Sequence, residues 1–464
     1  MPATMADQSY IGDLGNGLIC RWSTPADEAA IARCLTSVFR NGPDAPIYPN
    51  IADEVRIMMS PGYPFMGPGD FAIVEDTSLP DRPIVACTCL WSHQWSYSGI
   101  RFGVGQPELV ATLAAYRNRG LIRSLFAMVH ARSAARGDLV QAITGIPYFY
   151  RQFGYEYVLD LGGQRFVDVA AIPPAPGEEA EPYRLRLATV DDAPDLQALY
   201  EQDRSKSLVW HESEEEYWRT VIDYWNDPLV RDKPVAEVGL IGRIYMIVDA
   251  DGAVCGMVWP ASKRFGGPLY IFALRLFRHV SWQAVMPWLL RALRPFGENA
   301  PALSPDAKPF RELSLRLGRD HPAYTVLGDT LAPRREAPYA WYLRVSDIHG
   351  FLRHIAPVLE QRLADSVLPG HSGELIVDFY GDGLKMRFER GKLAEVAPWR
   401  APAYGDEAPA GCPRLIFLQL LFGYHSLAEL RATFPDVYAE QEAALLLDIL
   451  FPKSPSTVYS MSFT

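Results

Sequence analysis

The chain has 464 residues, 49% of them hydrophobic and 21% charged, and a formal net charge of −11. That is a packed chain too long for a single core, which excludes a largely disordered or fibrous protein and predicts three domains. The acidic balance also sets aside nucleic-acid binding as a main task, because phosphate affinity rests on clustered Lys and Arg, and it mildly favours a cationic partner, although negative charge equally serves solubility.

At the N-terminus, Met1 to Gly15 carries Asp7 and Asp13 and no basic segment followed by an apolar run. Six cysteines, at 20, 34, 87, 89, 255 and 412, are scattered without the dense framework of small secreted domains, and no apolar stretch approaches about 18 residues. The expectation is a cytoplasmic protein with no membrane span. Leu18 to Leu35 (LICRWSTPADEAAIARCL) reads as a short strand, a Thr near acidic residues, then a helix with Ile31, Cys34 and Leu35 on its apolar side.

Candidate strands follow at Phe71 to Glu75, Ile84 to Trp91 and Leu109 to Leu113, then a helix from about Arg119 to Arg136 that Gly137 caps. Leu121, Ile122, Leu125, Phe126, Met128 and Val129 recur at helical spacing, so one side of this helix packs on a sheet and the arrangement is α/β. Cys87, Cys89 and His93 lie close together, but no second ligand pair stands at metal spacing, so no metal is expected. Trp91, His93, Trp95 and Tyr97 alternate along or just beyond a strand. Such a stripe is ordinary packing or the lining of an acceptor pocket, with His93 and Trp95 beside Glu108 as its members.

The run Glu108 to Arg123 (ELVATLAAYRNRGLIR) carries the most chemistry. A buried strand feeds a turn holding Arg117, Asn118, Arg119 and Gly120, and a helix begins at once with Leu121, Ile122 and Arg123. Unpaired N–H groups at a helix start, the positive dipole end and a glycine that lets the backbone approach closely make an anion site, with Arg117 and Arg123 adding fixed charge. The bland alternative is a capped amphipathic helix with solvated arginines. Gly103-Val104-Gly105 lacks the third glycine and helix of a dinucleotide fingerprint, and no G-x-S-x-G elbow exists.

Gly145 to Tyr157 (GIPYFYRQFGYEY) is tyrosine-rich, and Ile172 to Pro182 (IPPAPGEEAEP) is the clearest linker. Tyr183 to Tyr200 then echoes the first strand-cap-helix unit, with Arg21/Arg186, Thr24/Thr189 and Asp27/Asp192 in register. This second copy runs to about Val345, with strands at Ile244 to Ala250 and Val254 to Pro260 and a helix near Trp282 to Leu293, and no arginine-glycine turn precedes that helix. From Ser346 the pattern becomes α+β: a helix at Phe351 to Ala364, strands at Gly373 to Tyr380 and Leu384 to Glu389, and helices at Arg414 to Leu421 and Ala439 to Leu450. In the tail Tyr459, Met461 and Phe463 alternate with serines, as in a half-buried strand.

Strand, R-N-R-G-L-I and helix together resemble the pyrophosphate-binding turn of GNAT acetyltransferases, whose pattern is Arg/Gln-x-x-Gly-x-Gly/Ala. Arg117 and Gly120 fit it, and Ile122 stands at the last small position. By that resemblance the preceding strand splays, Val110 and Thr112 pair with the acetyl and pantetheine groups of acetyl-CoA, and Arg117 to Arg123 hold the diphosphate. The segment around Tyr150 resembles the family's F-Y-x-x-F-G-F/Y, where the first tyrosine protonates the departing thiolate. A phenol with a pKa of about 10 is protonated at neutral pH and suits the role.

The whole layout resembles the enhanced-intracellular-survival group: tandem GNAT domains followed by a domain like a sterol carrier protein. This implies a catalytic GNAT domain over 1–171, a linker over 172–182, a degenerate second GNAT domain over 183–345 and the carrier-like domain over 346–464. It also implies a homo-oligomer, a small-molecule or peptide amine as acceptor, and a terminal carboxylate, on Thr464, that enters the active site as base. Glu108 and Gln106 are the alternatives for that proton path. The rival class is a lipid- or ligand-binding scaffold that works through its C-terminal domain.

Overall fold

The computed structural model describes residues 3–40, 49–175, 177, 181–264, 266–303, 308–402 and 408–459. The first part of the chain supplies β1 (Ile11–Gly15), β2 (Leu18–Trp22), α1 (Glu28–Val38), α2 (Pro49–Met58), β3 (Phe71–Asp76), β4 (Ile84–Tyr97), β5 (Ile100–Thr112), α3 (Leu121–Ala135), β6 (Val140–Ile143), β7 (Glu156–Leu161) and β8 (Gln164–Asp168). The middle part supplies β9 (Tyr183–Leu187), α4 (Ala193–Glu201), β10 (Val209–His211), α5 (Glu215–Tyr224), α6 (Pro228–Arg231), β11 (Tyr245–Asp249), β12 (Val254–Pro260), β13 (Leu269–Leu276), α7 (Trp282–Asn299), β14 (Glu312–Leu315), α8 (Pro322–Leu331), β15 (Arg334–Glu336) and β16 (Tyr339–Arg344). The last part holds α9 (Ile348–His354), α10 (Ala356–Ala364), β17 (Gly373–Asp378), β18 (Gly383–Glu389), β19 (Lys392–Trp399), β20 (Ala410–Gly411), α11 (Arg414–Leu421), α12 (Leu427–Thr433), β21 (Tyr438–Ala439) and α13 (Gln441–Leu450). The fold is mixed α/β.

Three sheets organise the described residues. The first runs β1-β2-β3-β4-β5-β6-β16-β7, with β10 also paired to β4; the second runs β15-β8-β14-β13-β12-β11-β9; the third runs β19-β18-β17-β20-β21. The first two sheets exchange strands. β8, early in the chain, pairs with β14 and β15, while β16, late in the middle part, slots between β6 and β7. The two thus share a fold through strand hydrogen bonds as well as through side-chain packing.

The repeated unit survives in three dimensions. Thr24 with Asp27 and Thr189 with Asp192 each form a capping box, and Arg21 and Arg186 each reach the following Asp, at 2.8 and 2.6 Å. Three differences from the sequence reading have local causes. α3 begins at Leu121 because Asn118 and Gly120 both take positive φ, at 61° and 76°. The helix expected over 351–364 starts at Ile348 and is two helices broken at Ile355, just ahead of Pro357, whose missing N–H and bulky ring interrupt the ladder. β4 continues past Trp91 to Tyr97, carrying the aromatic stripe into the sheet. The tail strand expected at Tyr459 to Phe463 lies outside the described residues beyond Tyr459.

Cores fill both faces of the first sheet. Leu121, Leu125, Phe126, Met128 and Val129 of α3 pack on one face against Val74, Ala86 and Leu90. On the other face α1, α2 and parts of the middle segment bury Cys87, Cys89 and Trp91. In the third sheet Leu375, Val377, Leu384, Met386 and Phe388 pack with Leu446, Leu447 and Leu450 in a core that also takes in Trp95 and Phe102 of the first sheet. α2 is clamped to the middle segment by Asp53, which accepts the Gly239 N–H at 2.7 Å and pairs with Lys233 and Arg56. The approach is so close that a Cβ on Gly239 would stand 2.6 Å from the Glu54 nitrogen. Gly239→Ala should therefore force α2 away and lower stability by about 1–3 kcal/mol, read as a fall in thermal midpoint.

Candidate functional site

The site is built where β5 leaves β6. The two strands pair in parallel at Val104↔Val140 and Gly105↔Gln141 and nowhere else, although β5 runs on to Thr112 and β6 to Ile143. Against β4, two steps from Cys87 to Cys89 span three on β5, from Ala111 to Glu108, so β5 carries one extra residue and Leu109 takes φ 52°. A bulge of this kind bends the strand and re-aims its backbone. Val110 and Thr112 follow it on the unpaired edge; Thr112 has a buried hydroxyl without a partner among the described residues, and its carbonyl accepts Arg117 Nε at 3.4 Å.

Beyond the strand lies the arginine-glycine turn. Arg117, Asn118, Arg119 and Gly120 are exposed, and the first amides bonded across the start of α3 are those of Arg123 and Ser124, both to the Gly120 carbonyl. Among the described residues the amides of Asn118 to Ile122 carry no hydrogen bond, and Gly120 as N-cap offers no side chain to take one. Arg119 folds over the Tyr116 ring at 4.9 Å, and Arg123 reaches Gln152 at 3.2 Å and lies 5.6 Å from the centre of the Phe153 ring. Ile122 is half-buried and Leu121 buried, so the helix's first turn faces the core with its side chains and solvent with its amides.

Tyr150 sits in the short helical turn Phe149–Phe153, 3% exposed, its ring stacked on Phe126 at 5.9 Å and edge-on to Tyr342 at 5.4 Å. No hydrogen bond engages its hydroxyl among the described residues. Burial first, then the Glu108 charge, pushes its pKa well up, so the phenol keeps its proton. The structure thus brings Tyr150 near the carboxyl that the sequence reading placed in the acceptor pocket.

Glu108 is half-buried on β5. Gln106 Nε2 donates to it at 2.8 Å, and burial pushes its carboxyl up to about 7 against that bond and the Leu109 N–H. Glu54 of α2 is likewise pushed up to about 7 by burial, which the Lys263 ammonium opposes and the Glu108 charge reinforces. Lys263, 1% exposed, donates to the Val238 carbonyl and is lowered by burial to about 8. Neither Glu54 nor Lys263 belongs to a motif; Glu54 interacts with both Glu108 and Lys263 from elements remote in sequence, and no local signal marks the set.

His93 and Trp95 are packed side chains, 5% and 1% exposed. His93 stacks on Phe65 at 4.4 Å and shares a 3.0 Å hydrogen bond with His211 of β10, and burial lowers it to about 3. Trp95 meets Trp341 edge-on at 5.6 Å. Thr464 lies outside the described residues. No group of three or more His, Cys, Asp or Glu that could hold a metal occurs among the described residues.

The middle sheet is built differently beside β13. There β13 keeps three parallel pairs with β14, the His321 imidazole bonds the Leu274 carbonyl at 2.9 Å, and Gln202 Nε2 donates to the Leu276 carbonyl at 2.7 Å. At the start of α7, Ser281 caps Ala284, and Arg278 is turned to the Gln202 carbonyl at 2.8 Å.

With this geometry in place, residues 21–158 match the family described as an acetyltransferase (GNAT) domain. Among solved structures the chain is similar to a probable N-acyltransferase from Enterococcus faecalis (14% identity, TM-score 0.64, covering 96% of this chain and 99% of that one). It is also similar to a GCN5-related N-acetyltransferase from Kribbella flavida (18%, 0.60, 96% and 99%) and to Eis1 from Mycobacterium abscessus (12%, 0.56, 96% and 100%). No curated protein matches. These likenesses support an acyltransferase of the GNAT fold, a fold whose members use acyl-CoA.

The raised Glu108 carboxyl carries a stability consequence. The native state holds this proton more tightly than the unfolded chain, whose Glu titrates near 4.3, so the cost of the charged form grows between about pH 4.3 and 7 and is full above. Glu108→Gln should melt higher than the parent at pH 8, with the gap closing at pH 4.

Proposed function

We propose that the chain is an acetyl-CoA-dependent N-acetyltransferase that acetylates a small-molecule or peptide amine by direct transfer. The observation that carries this is the row of unbonded amides from Asn118 to Ile122, flanked by Arg117 and Arg123, at the end of a strand parted from its neighbour. Such a turn suits a diphosphate, and the freed β5 edge at Val110 and Thr112 suits the amide-bearing arm and the thioester. Residues 1–171 form the catalytic unit in this reading, 183–345 the degenerate copy and 346–464 a carrier-like unit, in a cytoplasmic homo-oligomer.

In the proposed reaction a neutral amine attacks the thioester carbonyl, the carbon–sulfur bond breaks, and the Tyr150 hydroxyl donates to the departing sulfur. Its raised pKa means that the phenol carries its proton when the thiolate departs, and the phenolate left behind is reprotonated from solvent before the next turnover. The proton lost by the amine goes to a carboxylate. Glu108 is the described candidate, since a carboxyl near pH 7 is a base matched to neutral conditions; the Thr464 terminus is the alternative. A cationic acceptor fits the carboxyls of Glu108 and Glu54. The scaffold reading has less support, because the inward residues of the third sheet are packed against α13.

The test is coenzyme A release from acetyl-CoA over spermidine, lysine amide and phenethylamine, beside a coenzyme A binding titration. Tyr150→Phe should keep coenzyme A affinity and lose about 100-fold in kcat. In the parent, kcat/KM should rise through about pH 7 as Glu108 ionises, and in Glu108→Gln that inflection should vanish. Binding without turnover on any amine would favour the scaffold, and an unchanged inflection would move the base to another group.

A further inference from the structure

The loop that leads into Tyr150 is strained and little buried. Gly145 has φ 113° and Tyr148 φ 63°, a region that costs a tyrosine about 1–2 kcal/mol, while Ile146 and Tyr148 are 52% and 69% exposed. Packing does not hold such a conformation, so something else must over-determine it. Three tyrosine hydroxyls lie beneath it, one from β7 and two from β16, the strand that arrives from far along the chain. Tyr157 Oη accepts the Tyr148 N–H at 2.9 Å and lies 3.0 Å from Tyr339 Oη; Tyr339 Oη donates to the Gly145 carbonyl at 2.8 Å. Tyr342 Oη bonds Tyr157 Oη and is 3.2 Å from the Ile146 carbonyl.

Tyr157 and Tyr339 therefore take up the Tyr148 N–H and the Gly145 carbonyl, and Tyr342 gives its one hydroxyl proton to Tyr157 within reach of the Ile146 carbonyl. Their rings support one another, with Tyr157 stacked on Tyr342 at 4.0 Å, and Arg151 lies over the Tyr148 and Tyr157 rings at 4.7 and 5.7 Å. The link to Tyr150 is short: a Cβ on Gly145 would stand 3.9 Å from the Tyr150 hydroxyl, and the Tyr342 ring meets the Tyr150 ring directly.

We infer that Tyr157, Tyr339 and Tyr342 are positioning residues that fix the 145–148 backbone and thereby aim the Tyr150 hydroxyl, so that β16 supplies part of the acyl-transfer site. This rests on the reading of Tyr150 as the proton donor. The network moves no proton to substrate; each hydroxyl is spent on the loop or on its neighbour. A chain of hydroxyls donating in one direction polarises each member, which strengthens the bond at its end.

Removing one oxygen while keeping the ring isolates the effect. Tyr157→Phe and Tyr339→Phe should each lower kcat about 10-fold with the KM for acetyl-CoA unchanged within twofold, because a loop displaced by a fraction of an ångström misaims the donor without touching the diphosphate turn. The decisive background is Tyr150→Phe, where adding Tyr157→Phe or Tyr339→Phe should slow turnover no further. The same three amines serve as acceptors, and circular dichroism confirms that each variant is folded; if Tyr157→Phe fails to fold, Tyr339→Phe carries the comparison. The inference is overturned if both single variants turn over at the parent rate, or if they slow the Tyr150→Phe enzyme as much as they slow the parent. A Tyr150→Phe enzyme at the parent rate would overturn the proton-donor reading itself, and the positioning role with it.

Discussion

The parting of β5 from β6 is the constraint on which the site depends. A strand that ran fully paired from Val104 to Thr112 would spend its backbone polar groups on its neighbour and leave nothing to present. Two features open it: the pairing stops at Gly105, and the extra residue at Leu109 turns the strand away from the ladder. The same bulge sets where Glu108 stands, immediately before the residue of positive φ. Once the strand is open, the turn that follows inherits unbonded amides, and α3 starts on a glycine that cannot cap them. The exposed strand edge, the unbonded turn and the position of the Glu108 carboxyl are consequences of one local break in pairing.

What could be read from the sequence divides along chain distance. The anion turn, the helix after it and Tyr150 lie within about one supersecondary unit, and glycine, arginine and apolar spacing mark them in print. The capping boxes at Thr24 and Thr189 were equally legible, because a cap is a contact between residues three apart. The partners of Glu108 were not. Glu54 comes from a helix, and its own partner Lys263 from a loop, whose sequences carry no pattern, and the packing of α2 against residues 233–239 brings Glu54 in. His93 shows the limit of the opposite kind: an alternating aromatic stripe fits a pocket wall and a core equally, and the core won because β10 adds a strand there and His211 takes up a ring nitrogen.

The carboxyls and the lysine form one electrostatic unit. Two half-buried carboxyls in mutual reach cannot both ionise cheaply, so the Glu108 charge raises Glu54, and the buried ammonium of Lys263 partly offsets this at Glu54. Such a set shares its protons as a group. In the proposed reaction an arriving ammonium would add a positive charge on the open side and so favour ionised carboxyls when a base is required. Charge complementarity and proton acceptance then draw on the same groups.

The middle part of the chain, in which His321 and Gln202 bond the Leu274 and Leu276 carbonyls, is not detachable from the first. It lends β16 to the first sheet and receives β8 in the second, so neither sheet is complete without a strand from the other part. β16 also sits on the far side of β6 from the opened β5, pairing with Gln141 to Ile143, of which β5 reaches only Gln141. A short strand such as β6, held on one side by two pairs alone, would be a poor wall for a cleft; the three pairs from β16 carry its support on to Ile143 and stiffen it. What the first sheet takes from the middle part of the chain is thus a strand in the right register.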